Sequence, residues 1–98
     1  MKRPVRSLPE ARVEFNEAID WYEAQRAGLG TKFATRIREV LDRIAADPQR
    51  HAPVYLDVRK VLVPKFPYAI LYREEPGEVI VVSVFHTSRD PSIWKARV

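Results

Sequence analysis

The sequence contains no cysteine, which excludes disulfides and thiolate metal sites alike. It has two histidines, His51 and His86, and no His, Asp and Glu set stands at metal-ligand spacing, so neither a metal nor another cofactor is expected. No apolar run approaches the ~20 residues that cross a bilayer. The opening Met1-Lys2-Arg3-Pro4 lacks the apolar segment of a signal peptide. The expected location is the cytoplasm, without a membrane partner. Internal repeats and low-complexity segments are also missing.

What is present fits a folded chain: 46% of residues are hydrophobic and 31% charged, outside the composition of disordered segments. The 98 residues leave room for one core, so residues 1–98 read as a single domain. So short a chain buries a modest fraction of its surface, and a bound partner would reinforce a thin stability margin. Seventeen Lys and Arg against thirteen Asp and Glu give a net charge of +4. That balance suits acidic partners, whether nucleic acid, a ribosome or an acidic protein segment.

Ser7-Leu8-Pro9-Glu10 has the form of a capping box, with Ser7 as N-cap and Pro9 in the first turn, where its missing N–H does no harm. Leu8, Ala11, Phe15, Ala18, Ile19 and Tyr22 then recur at three- and four-residue steps, the apolar stripe of an amphipathic helix. Glu10, Glu14, Glu17 and Asp20 read as a solvated acidic stripe on another side. Gly28 and Gly30 break this helix. A second, from near Thr31, carries Phe33, Ile37, Val40, Leu41 and Ile44 on one face and Lys32, Arg36 and Arg43 elsewhere; it ends by Asp47-Pro48. Together the two form an antiparallel hairpin that needs a surface to cover.

The period then changes. Val58 to Val63, Tyr68 to Arg73 and Val79 to Phe85 are rich in β-branched and aromatic residues and read as a three-stranded meander. Glu75-Pro76-Gly77-Glu78 supplies its last turn, and Pro4 to Ser7 can add a short edge strand. The fold expected is α+β, an N-terminal helical hairpin packed on a small, mainly antiparallel β-sheet. Val79 to Phe85 is apolar at six of seven positions, which predicts a strand buried on both faces. Two helices cover only one face, so a C-terminal segment, a homodimer or a partner chain must cover the other; the partner is the expectation. Asp90-Pro91 reads as the opening of a short helix that packs Trp94.

Glu17-Ala18-Ile19-Asp20-Trp21-Tyr22, Asp57-Val58-Arg59-Lys60, Phe66-Pro67-Tyr68-Ala69-Ile70-Leu71-Tyr72, a hydrophobic strand and His86-x-x-Arg89-Asp90-Pro91-x-x-Trp94 occur here in that order. Their order and spacing resemble the RelE/ParE superfamily of toxins from type II toxin–antitoxin systems, over about Leu8 to Arg97. The resemblance implies a growth-inhibiting toxin, plasmid stabilisation, and neutralisation by a small acidic antitoxin in a hetero-oligomer, with a homodimer also possible. Two targets are implied. RelE-like members cut messenger RNA on the ribosome, whereas ParE-like members poison DNA gyrase without hydrolysing anything.

Internal attack of a 2′-OH on RNA needs a base, an acid and positive charge on the phosphorane. The resemblance places lysines for this on the strand around Val58 to Val63, an arginine after the strand tyrosine and a tyrosine near the end. Lys60 matches one lysine. Leu62, Ala69 and Trp94 stand where a cation, a cation and a phenol would be. This favours a ParE-like gyrase inhibitor, with Arg59, Lys60, Arg89, Trp94, Lys95 and Arg97 as target-binding residues. The alternatives are a ribosome-dependent endoribonuclease using His86, Arg89 and Arg73, or an inactive relative that only binds an antitoxin. In the ribonuclease case Arg59, Lys60, Arg73, His86 and Arg89 would gather at one end of the sheet. Plain structural roles compete with each assignment: His86 as a strand-end residue bonded to backbone, Arg89 paired with Asp90 or the C-terminal carboxylate, Tyr68 and Tyr72 in the core. Arg59 and Lys60 point to opposite faces, so at most one serves a given site.

Overall fold

A computed structural model describes residues 2–98. β1 (Val5–Ser7) runs parallel to the last strand, Val5 opposite Val79 and Ser7 opposite Val81. This pairing overrides the expected capping box. Ser7 is held in the strand, and the cap position of α1 (Pro9–Gln25) passes to Leu8, which is extended and makes no side-chain cap bond. Leu8 is fixed instead by its own N–H on Val81 O at 2.9 Å and by packing its side chain under the sheet.

α1 buries Ala11, Ala18 and Tyr22. α2 (Leu29–Ala46) buries Phe33, Ile37, Val40 and Ile44, and starts two residues before the Thr31 expected from the sequence. The reason lies across the turn. The Glu23 carboxylate accepts the N–H groups of Gly28 (2.8 Å) and Gly30 (3.0 Å), satisfying donors that a helix start leaves free. Gly28 turns the chain at φ +86°, and a Cβ on Gly30 would lie 2.6 Å from Ile19 O. The glycine therefore sets how closely the two helices approach.

The sheet has the order β1-β5-β4-β3-β2. The expected meander is present as β3 (Val58–Leu62), β4 (Tyr68–Glu75) and β5 (Glu78–His86), antiparallel throughout. Gly77, at φ +77°, makes the last turn as expected. β2 (Pro53–Tyr55) was not legible: its residues are all exposed, and it exists only by pairing with β3 through a turn in which Leu56 takes φ +51°. A bulge opposite Leu71 and Tyr72 inserts Val82 into β5.

The helices cover one face of the sheet, enclosing Ile70, Tyr72, Val79, Val81 and Val84. The Tyr72 hydroxyl donates to Pro48 O at 2.7 Å, tying the sheet to the end of α2. The other face was expected to await a partner. The chain covers it itself. A short helix, α3 (Ser92–Lys95), lays Trp94 onto Val58, Ala69, Leu71, Val82 and Phe85, with Leu8 and Val98 beside it. Asp90 starts that helix, its carboxylate accepting the Ser92 N–H at 3.0 Å, which holds its acid below the usual carboxylate range. None of the helices described is long and apolar enough to cross a membrane.

Candidate functional site

β1 ends at Ser7, so β5 beyond Val81 has no strand on that side. An open edge of this kind invites pairing with other chains. Here a carboxylate closes it. Glu14 Oε1 accepts the Val84 N–H (3.3 Å) and the Ser83 hydroxyl (2.8 Å), while Arg97 Nη1 donates to Val82 O (3.2 Å). Arg97 also forms a two-point pair with Glu14 at 2.8 and 3.0 Å, and Arg89 Nη1 reaches Glu14 Oε2 at 3.0 Å. The bond to Glu14 raises the Arg97 pKa against the opposing effect of burial. Glu14 and Arg97 side chains are only 11% and 12% exposed, so the pair works in a partly desolvated setting where such bonds are strong.

This corrects two expectations. Glu14 does not belong to a solvated stripe, and Arg89 pairs with neither Asp90 nor the chain end. A signal was available: Glu14 stands three residues after Ala11 and four before Ala18, in register with the buried stripe.

Beside this cluster, on the face away from α1 and α2, lies a hollow of about 230 Å³. Its floor is Ala69, Leu71, Phe85 and Trp94, and its rim carries Lys60, Arg89 and Lys95. Lys60 comes from β3, opposite Leu71. The Arg89 guanidinium lies over the Phe85 ring at 5.1 Å, and Lys95 Nζ over the Tyr55 ring at 5.0 Å. Such contacts hold cations in place while leaving them able to attract an anion. The structure thus brings together four of the residues singled out in the sequence: Lys60, Arg89, Trp94 and Lys95. Trp94 is 5% exposed and belongs to the floor; its indole is a donor only and moves no proton.

The others lie apart. Arg59 points to the opposite face, as alternation requires, and its guanidinium donates to the carbonyls of His51 and Gln49. Arg73 pairs with Glu75 at 3.3 Å. It sits five residues along β4 from Tyr68, the partner of His86, about 17 Å at ~3.4 Å per residue. The expected gathering of Arg59, Lys60, Arg73, His86 and Arg89 at one sheet end therefore does not occur. His86 stacks edge-on against Tyr68 with ring centroids 5.1 Å apart, and its Nδ1 accepts the Ser88 N–H at 3.1 Å. Burial raises the Tyr68 phenol pKa, with the neighbouring Tyr22 adding to the effect. Among the described residues no His, Cys, Asp and Glu group is arranged to hold a metal ion.

Comparison with known proteins follows the same line. The family model described as the ParE toxin of the type II toxin–antitoxin system, parDE, matches residues 5–91. Among solved structures, the chromosomal ParDE TA system from P. aeruginosa is similar in fold, with a TM-score of 0.78 at 13% identity over 89% of this chain and 98% of that one. Comparison with curated proteins gives no match. The match to the family model spans nearly the whole fold, from β1 to the start of the C-terminal helix: this chain belongs to the ParE toxin family of type II toxin–antitoxin systems.

Proposed function

We propose that this protein is the toxin of such a pair, neutralised in the cytoplasm by a small acidic antitoxin, and that it stops growth by inhibiting DNA gyrase. The observation that carries the choice of target is a row of apolar side chains across the sheet. Leu62 and Ala69 stand opposite one another on β3 and β4, where a RelE-like ribonuclease would set cations around a phosphate, and Phe85 on β5 continues the row. Ala69 is buried, and Trp94 is fixed in the floor. Each missing acid, base or phosphorane-stabilising group costs about two to four orders of magnitude in rate. Lys60, Arg89 and Lys95 remain as a basic rim that steers and docks a partner without chemistry.

The antitoxin reading has its own support. A groove between the helices and the sheet is lined by partly exposed Phe15 and Leu41 over buried Ala11, Ile37, Val81 and Val84, between Arg12 and Arg38. An apolar floor between two cations suits an acidic amphipathic segment. The test of target is pulse expression followed by purified assays. The expected result is DNA breakage with an SOS response and loss of gyrase supercoiling, weakened by Lys60→Ala, Arg89→Ala or Lys95→Ala. Codon-phased cleavage of messenger RNA on translating ribosomes, with gyrase unaffected, would overturn the reading and bring His86 forward as the catalytic residue.

A further inference from the structure

Val54, Tyr55, Leu56, Leu62 and Ile93 are five of the eight exposed large hydrophobics among the described residues, and four of them surround the hollow under α3. Val54 lines it. The Tyr55 ring meets Trp94 of the floor edge-on, with centroids 5.9 Å apart. Leu62 stands across the ladder from Ala69 of the floor and two residues beyond Lys60, hence on the same side of the sheet. Ile93 precedes Trp94 in α3. Val54 and Leu62 are more than half exposed. Such side chains are ordinary singly, but grouped around one concavity they mark an interaction surface. The charge beside them has one sign, for no carboxylate lines the hollow. Arg89 is already committed to Glu14 at 3.0 Å. That leaves Lys60 and Lys95, neither of them in an ion pair among the described residues.

Two unpaired lysines among aliphatic side chains do not suit a nucleic acid, whose interfaces are polar and rich in cations. Base stacking is closed as well: Lys95 Nζ lies over the Tyr55 ring at 5.0 Å, and Trp94 is 5% exposed. A second copy of this chain would bring its own lysines to the same patch, because a two-fold interface pairs a surface with itself. A protein segment with one large apolar residue for the hollow and carboxylates beside it satisfies both the shape and the charge. We propose that the hollow under α3 takes a large apolar side chain from an acidic protein segment. Val54, Tyr55, Leu62 and Ile93 cover the apolar side of that segment, and Lys60 and Lys95 meet its carboxylates. The inference rests on the reading of this hollow as the docking site for a protein target, and it names what that target must present.

Titration of the ¹⁵N-labelled full chain with a short peptide of Glu and Asp around one central Phe tests it by nuclear magnetic resonance. The expected shifts fall on the amides of Lys60, Leu62 and Ala69 and on the Trp94 indole N–H. Central Ala in place of Phe should weaken binding about tenfold or more, the loss expected when a large apolar side chain no longer leaves water. Flanking Lys in place of the acids should abolish the shifts. Leu62→Glu, at an exposed position, should keep the melting temperature and weaken the acidic peptide about tenfold, while Val13→Glu on α1 should bind as wild type. Four results would overturn the proposal: no shift at these groups, shifts confined to the groove between Arg12 and Arg38, equal binding of the Ala peptide, or the same shifts on adding a DNA duplex or on concentrating the chain alone. A supercoiling assay separates this inference from the choice of target. Peptide binding at the hollow with gyrase unaffected removes gyrase and leaves the inference standing. Gyrase inhibited equally by wild type and Leu62→Glu, with the peptide unbound, removes the inference and leaves gyrase.

Discussion

Glu14 carries two guanidiniums, a hydroxyl and a backbone N–H, and these loads are unequal. Arg97 is nearly as buried as Glu14, whereas the Arg89 side chain is 43% exposed. Removing one member of a buried pair strands the other without a counter-charge, at about 3 kcal/mol or more. Glu14→Gln should therefore lower the melting temperature by more than about 10 °C in a domain of this size. Arg89→Ala should cost under about 1 kcal/mol, because solvent screens its contact. Thermal melts of the two variants check the ranking, and equal losses would contradict it. Tyr72 gives a second test. Burial raises its phenol above the ordinary value of 10.0, with Arg59 opposing, and burial raises Tyr22 and Tyr68 in the same direction. The unfolded tyrosines ionise first as pH rises, so stability is intact below about pH 10 and falls as pH climbs toward the folded values. Tyr72→Phe should make that alkaline loss shallower. At neutral pH it should cost about 1–3 kcal/mol, since Pro48 O loses its partner.

Among the elements, the helical hairpin depends on a glycine that helix propensity alone would replace. Alanine is favoured over glycine inside a helix by about 1 kcal/mol. At Gly30 the close Ile19 carbonyl reverses that sign, because a methyl group 2.6 Å from it forces α1 and α2 apart. Gly30→Ala should destabilise by about 1–3 kcal/mol, measured by urea denaturation. A stabilised variant would show that the helices separate freely. Glu23 was not singled out in the sequence, yet it caps α2 by reaching back across the turn. No local pattern encodes a cap five to seven residues upstream of its donors. The failed Ser7 box is the converse: the local signal was present, and strand pairing with Val81 outweighed it.

For the whole molecule, the decisive feature is that the chain covers both faces of its own sheet. Removing residues 93–98 should expose Val58, Leu71, Val82 and Phe85 and leave Glu14 without Arg97. Aggregation in size-exclusion chromatography is the expected outcome, in contrast to a monodisperse full-length chain. Coexpression with the antitoxin should raise the melting temperature further, because ligand at a thousandfold excess over its dissociation constant adds about 4 kcal/mol. A melting temperature indifferent to a small acidic antitoxin would argue against that partner.

Local sequence determined the two helices through their apolar period and the meander through its β-branched and aromatic runs. It likewise determined the Gly77 turn through Pro76 and Gly77, and the helix that packs Trp94 through Asp90-Pro91, because each is set by residues close together in the chain. Order and spacing of short segments sufficed for the family. Only the tertiary structure decided what lies between elements far apart in sequence. It seated α3 where a partner was expected, made Glu14 a buried anchor, and separated Arg73 from His86 along a strand. It also gathered Lys60, Arg89 and Lys95 around one hollow. Charges have no period of their own, and a carboxylate is solvated or buried according to which distant cation the fold brings within reach.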